Sequence, residues 1–169
     1  SGAAQVVLDW PDATDNVAVT GYDVEYGTST SYGISTTSTT SAKTITGLVE
    51  GTTYYFRVRA YDADGNKSGW LTASASPADM TVPTSPTGLT AIRGNALVAL
   101  DWADSTDNVA VTGYDIEYGT TTSYGTALTS TTSDKTITGL TNGSLYYFRV
   151  RAYDAAGNKS DWVTTTATP

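Results

Sequence analysis

The 169-residue chain carries 17 Asp and Glu against 9 Lys and Arg, a formal net charge of −8, and it contains neither cysteine nor histidine. No disulfide framework is open to it, and the commonest general base and the commonest transition-metal ligand are both missing. The negative charge opposes non-specific binding to nucleic acid or anionic lipid, and no apolar run approaches the roughly 18 residues of a membrane span, so neither partner is expected.

Read from the start, the chain places Trp10 after an alternating run, Tyr22 and Glu25 in a second, Tyr54 to Tyr61 in a third, and Trp70 shortly after it. Proline then punctuates the chain from Pro77 to Pro86, and the same wording returns. Residues 93–169 align with 1–77 without an insertion, Trp10 falling on Trp102, Tyr22 on Tyr114, Tyr54 on Tyr146 and Trp70 on Trp162. A period this long exceeds the roughly 20–50 residues of a solenoid repeat and suits a whole small domain. Domains are therefore expected at 1–77 and 86–169, with residues 78–85 as a semi-rigid, proline-bounded linker.

The second copy displays the strands in order. Pro86 to Ile92 reads as a first strand, and Ala96 to Trp102 as a second with Val98, Leu100 and Trp102 on one face. Gly113 to Tyr118 turns Tyr114, Ile116 and Tyr118 inward and Asp115 and Glu117 outward; Tyr146 to Tyr153 alternates Tyr146, Phe148, Val150 and Ala152 against Tyr147, Arg149, Arg151 and Tyr153. Period 2 is the mark of a strand with one buried face. Turn signals at Thr106-Asp107-Asn108, Gly119 to Gly125, Thr141-Asn142-Gly143 and Ala156-Gly157-Asn158 separate the runs. With no helical period anywhere, seven short alternating strands predict an antiparallel sandwich. The first copy opens close to its second strand and has no counterpart of residues 86–92. Its sheet is expected to leave an edge unpaired, for an upstream segment or a neighbouring chain to fill; a monomer is expected, with an edge-strand dimer as the alternative.

The inward Trp102, the Leu140-Thr-Asn-Gly-Ser-Leu-Tyr146 turn before a long Tyr-x-Phe-x-Val-x-Ala strand, and the Gly-Asn-x-Ser exit together resemble the fibronectin type III domain, over both copies. The resemblance implies an all-β chain of two immunoglobulin-like, seven-strand Greek-key β-sandwiches in tandem, the first lacking its first strand. It makes Tyr54 and Tyr146 tyrosine-corner residues. The Ser-Thr-Asp-Asn-Val-Ala-Val-Thr-Gly-Tyr wording is similar to the bacterial branch of the family, whose members sit as accessory modules in secreted chitinases, cellulases and surface proteins.

Three constellations could carry chemistry. On the outward face, Arg57, Arg59, Arg149 and Arg151 are expected beside Glu25, Glu117, Trp70 and Trp162, where Glu–Arg pairs and guanidinium–indole stacking would build a ladder. The alternative reading of Trp70, Tyr61 and Arg59, with Trp162, Tyr153 and Arg151, is a carbohydrate platform. Asp23 and Glu25, like Asp115 and Glu117, place two carboxylates on one strand face about 7 Å apart, within the range of an inverting glycosidase. An open sheet face with arginines nearby works against an acid catalyst, so no enzyme is expected and glycoside hydrolysis stays the remote alternative. Lastly, Asp104, Asp107 and Asp154 fall in two loops expected at one pole of the second sandwich, an oxygen-rich setting suited to calcium. Asp and Asn also serve turns for local reasons, and Asp64 becomes Ala156 in the second copy; no other cofactor is expected.

Taken together, the sequence predicts a non-catalytic spacer or interaction module of an extracellular bacterial protein, secreted or at the cell surface, with neighbouring domains of the same parent protein as its partners. The alternative is a carbohydrate-binding module that takes polysaccharide on the Trp/Arg/Tyr face.

Overall fold

The computed structural model describes residues 4–169, and the chain divides into two compact units, Ser1–Asp79 and Met80–Pro169. In the first unit the strands are β1 (Ala4–Asp9), β2 (Gly21–Gly27), β3 (Ile34–Ser38), β4 (Ala42–Leu48), β5 (Tyr54–Tyr61) and β6 (Leu71–Ala75). They form a four-stranded sheet in the order β3-β2-β5-β6 and a two-stranded sheet, β1-β4. The second unit adds a strand at its start: β7 (Thr87–Gly94), β8 (Leu97–Ala103), β9 (Val111–Gly119), β10 (Thr126–Ser130), β11 (Asp134–Thr138), β12 (Tyr146–Asp154) and β13 (Val163–Ala167). Its sheets run β10-β9-β12-β13 and β11-β8-β7. All pairing is antiparallel. No helix among the described residues is long and apolar enough to cross a membrane.

The period-2 alternation becomes the two cores. Val98, Leu100 and Trp102 from β8 meet Tyr114 and Ile116 from β9 and Phe148, Val150 and Ala152 from β12. Val6, Leu8, Trp10, Tyr22, Val24, Phe56, Val58 and Ala60 do the same in the first unit. Each core indole meets a tyrosine edge-on, Trp10 with Tyr22 at 5.3 Å and Trp102 with Tyr114 at 5.1 Å between centroids, a favoured aromatic arrangement. Because β5 and β12 are buried on their inner face and half-exposed on the outer, their arginines are committed to the outer face.

Tyrosine hydroxyls brace the loops. The Val49 amide donates to Tyr54 Oη at 3.2 Å and the Thr141 amide to Tyr146 Oη at 3.1 Å, the corner that the resemblance implies. A second pair of braces is invisible in the sequence: Tyr22 Oη accepts from the Ala13 amide at 3.0 Å and Tyr114 Oη from the Ser105 amide at 2.9 Å. One close approach explains a repeated glycine. A Cβ on Gly113 would lie 2.8 Å from the Ser130 carbonyl and 2.7 Å from Tyr153 Oη, and Gly21 is crowded in the same way by Ser38 and Tyr61.

The units differ where the sequences differ. β7 pairs with β8 along its length, and its inward Leu89 and Ala91 pack on the core. Among the described residues of the first unit, β1 pairs only with β4.

Candidate functional site

β5 and β12 each lie inside a four-stranded sheet, flanked by β2 and β6 or by β9 and β13. The register sets Glu25 opposite Arg57 and Asp23 opposite Arg59, with Glu117 opposite Arg149 and Asp115 opposite Arg151. Each facing pair closes as a hydrogen-bonded ion pair. Arg57 Nε donates to Glu25 Oε2 at 2.8 Å and Arg59 Nε to Asp23 Oδ2 at 2.9 Å, and Lys67 Nζ reaches the same Asp23 oxygen at 2.8 Å. The second unit repeats the set, Arg149 to Glu117 at 2.9 Å, Arg151 to Asp115 at 2.9 Å and Lys159 to Asp115 at 2.8 Å.

The same guanidiniums stack on aromatic rings. Arg57 Cζ lies 4.4 Å from the Tyr32 centroid and 4.3 Å from that of Trp70, and Arg59 Cζ lies 4.2 Å from Trp70. In the second unit Arg149 Cζ is 4.3 Å from both Tyr124 and Trp162, and Arg151 Cζ is 4.3 Å from Trp162. Each outer indole therefore has two stacked cations as neighbours.

Tyr61 and Tyr153, expected to enlarge this surface, lie at its far end, their hydroxyls over Gly21 and Gly113; Lys159 Nζ is 6.0 Å from the Tyr153 ring. The rings that extend the ladder are Tyr32 and Tyr124. Both have φ of 47°, a left-handed conformation that costs a non-glycine residue roughly 1–2 kcal/mol. The strand period could not reveal them, because they stand in the loops before β3 and β10.

Two carboxyls of the face are held below the usual aspartate range. For Asp23 the hydrogen bond from Lys67 is the largest cause, with Arg59 adding to it against the opposing effect of burial. For Asp115 burial is the largest influence and pushes upward, but the hydrogen bonds and charges of Lys159 and Arg151 together outweigh it. A glycosidase acid needs its carboxyl raised, the reverse of what this face does to Asp23 and Asp115.

The acidic loops are occupied with their own turns. Asp62 Oδ1 accepts from the Asp64 and Asn66 amides at 3.0 and 2.8 Å, and the Asn66 side chain holds the Asp62 carboxyl below its ordinary range. Asp154 Oδ1 accepts from the Asn158 amide at 2.8 Å, and Asp107 Oδ2 from the Val109 amide at 2.9 Å. Carboxylate oxygens of Asp107 and Asp154 come within 4.8 Å of each other, while Asp104 lines a recess with Asp107 without its carboxylate joining them.

The family profile described as Fibronectin type III domain matches residues 1–74 and again residues 83–166. Chitinase A1 of Niallia circulans is 42% identical over 165 residues, covering 94% of this chain and 22% of that protein. Exoglucanase B of Cellulomonas fimi is 39% identical over 167 residues, covering 94% of this chain and 14% of the enzyme. Exoglucanase A of the same organism is 46% identical over 129 residues, covering 70% of this chain and 14% of the enzyme. The chain thus spans about a fifth or less of the length of these relatives. One profile matching twice, on two units that share strand order and core, makes this chain a member of the fibronectin type III family, two domains in tandem.

Proposed function

We propose that the chain is a non-catalytic spacer and interaction module of an extracellular bacterial protein, separating catalytic or binding domains of a polysaccharide-active enzyme. The observation that carries the reading is the closed ladder, repeated in both units: each outer indole has two stacked guanidiniums as neighbours, and each arginine is ion-paired. Such a face satisfies itself and covers its sheet. The relatives named as a chitinase and exoglucanases, of which the chain matches only a small part, supply the context, and their similarity supports a secreted location.

The rival use of this face is polysaccharide binding through Trp70, Tyr61 and Arg59 and through Trp162, Tyr153 and Arg151. The experiment that separates the two is depletion of the purified chain by insoluble chitin and by insoluble cellulose, beside a Trp70→Ala/Trp162→Ala variant. A spacer stays in solution in both forms. Depletion of the parent chain that disappears in the variant would overturn the spacer reading and make the face a carbohydrate site.

A further inference from the structure

Asn142 is the one asparagine of the chain followed directly by glycine. In that arrangement a backbone nitrogen meets least hindrance in attacking the preceding side-chain amide, because glycine carries no side chain. The turn around it is of type II: the Ser144 amide donates to the Thr141 carbonyl at 3.2 Å, and Gly143, third of the four residues, has φ of 76°. The first unit builds the same turn with Glu50 in place of Asn142. There the Thr52 amide donates to the Val49 carbonyl at 3.3 Å and Gly51 has φ of 69°. The amide that could react is confined to the second copy, and the first serves as an internal control.

The fold holds Asn142 at both ends. Its Nδ2 donates to Asn95 Oδ1 at 2.8 Å, and its Oδ1 accepts from the Ala96 amide at 2.7 Å. Asn95 and Ala96 form the turn between β7 and β8. Ala96 has φ of 55° there, a left-handed conformation unfavourable to a residue with a Cβ, and its carbonyl accepts from the Leu140 amide at 3.0 Å. The attacking nitrogen is engaged as well: the Gly143 amide donates to the Pro169 carbonyl at 3.0 Å, as Gly51 does to Pro77 at 3.3 Å. Reaction needs both groups released together, which is a local opening of the fold.

We propose that Asn142 is a latent self-modification site, deamidating only when this clamp opens, and that its isoaspartyl product releases the β7–β8 hairpin. In the first step Gly143 N bonds to Asn142 Cγ, the Cγ–Nδ2 bond breaks, and the Gly143 amide proton leaves with Nδ2 as ammonia. Water then opens the resulting succinimide at either carbonyl. Opening at Cγ gives aspartate. Opening at the backbone carbon gives isoaspartate, with Gly143 joined through Cγ and a carboxylate at the old peptide carbon. Nothing is oxidised or reduced. The clamp tolerates aspartate, because its carboxylate still accepts from the Ala96 amide and an Asn95 amide turned over offers its own Nδ2. Isoaspartate lengthens the backbone inside the turn and displaces the group that held Asn95 and Ala96. The inference is independent of the spacer reading, since it concerns neither the ladder nor a glycan.

The test incubates the full chain at mildly alkaline pH, folded in buffer and unfolded in urea, and follows each asparagine by peptide mass mapping and isoaspartyl methyltransferase labelling. In urea, isoaspartate is expected at position 142 ahead of every other asparagine. In the folded chain the same reaction is expected to run at least about tenfold more slowly, the ratio reporting the opening equilibrium. Asn95→Ala, at an exposed turn position, removes one arm of the clamp. It is expected to speed the folded-state reaction by about two- to tenfold, as loss of one hydrogen bond implies, while leaving the rate in urea unchanged. Chain carrying isoaspartate at 142 is expected to lose hydrogen-exchange protection of the β7–β8 amides and keep that of the first unit; an Asn142→Asp chain is expected to keep both. Equal rates in buffer and urea would overturn the inference, as would a folded-state rate indifferent to Asn95→Ala, or modification in urea that falls first on another asparagine. Intact β7–β8 protection in the isoaspartyl chain would overturn it too, and so would equal loss of protection in Asn142→Asp, since release would then belong to the charge and not to the backbone.

Discussion

At the scale of single residues, the outer face works by giving each charge several partners. Asp23 holds Arg59 and Lys67 on one oxygen, and Asp115 does the same for Arg151 and Lys159. Both carboxyls have folded-state pKa values lowered from the ordinary one. The sign follows from linkage: a carboxyl that binds protons less readily when folded contributes stability above its unfolded pKa, about 3.9, and loses that contribution as pH falls through the lowered folded value. An acid melting series should therefore show stability flat above about pH 5 and declining below about pH 4. Asp23→Asn and Asp115→Asn should flatten that acid decline while lowering stability at neutral pH, where the cations lose an ionised partner. A decline identical in parent and variants would show that these two groups are not its source. Asp62 adds to the same limb, since its side chain is held below its ordinary range by Asn66.

At the scale of elements, β5 and β12 are the organising strands, because one face of each makes the core and the other makes the ladder. Their alternation could be read directly from Tyr54 to Tyr61 and Tyr146 to Tyr153, and the pairing of Arg57 with Glu25 followed from placing those strands side by side. Tyr32 and Tyr124 could not be read, since a loop residue with positive φ follows no period. Lys67 and Lys159 were hidden for a different reason: each reaches its aspartate from an isolated bridge, Tyr61↔Lys67 or Tyr153↔Lys159, outside the strands the pattern marks. In the acidic loops turn chemistry and calcium ligation ask for the same residues, and spacing alone did not show that Asp107 and Asp154 approach each other while Asp104 stands apart. If the ladder covers its sheet, Trp162→Ala should destabilise the second unit. Two guanidinium–indole contacts at about 0.5–1 kcal/mol each, plus the arginine stems that pack on the ring, make a loss of about 1–3 kcal/mol. Arg149→Lys should also destabilise, since it retains the cation but removes the guanidinium plane that stacks on both Tyr124 and Trp162 and donates twice to Glu117. Denaturant melts of the two variants measure both; a Trp162→Ala chain as stable as the parent would show that the ladder contributes nothing to holding the sheet.

At the scale of the whole molecule, the described residues of the two copies differ chiefly by the strand β7, and that difference has a thermodynamic consequence for the chain as given. Each unit has its own core, so each can unfold by itself. The second packs the partly buried Leu89 and Ala91 against its core; among the described residues the first leaves Leu71 exposed and pairs β1 only with β4. Full burial of a leucine is worth roughly 1.5–3 kcal/mol, so the partly buried Leu89 together with Ala91 contributes about 1–2 kcal/mol, and for domains of this size 1 kcal/mol moves the melting temperature by about 4–8 °C. The full chain should therefore melt in two steps separated by on the order of 10 °C, the first unit going first. Assignment of the steps follows from the cores: Val6→Ala should lower only the earlier transition and Val98→Ala only the later one, each by the cost of removing buried methyl groups. Calorimetry of the parent chain and the two variants decides it. A single transition that either substitution shifts as a whole would mean that the copies are energetically coupled, and the better-covered core of the second unit would then stabilise the pair as one body instead of standing as a strong unit beside a weak one.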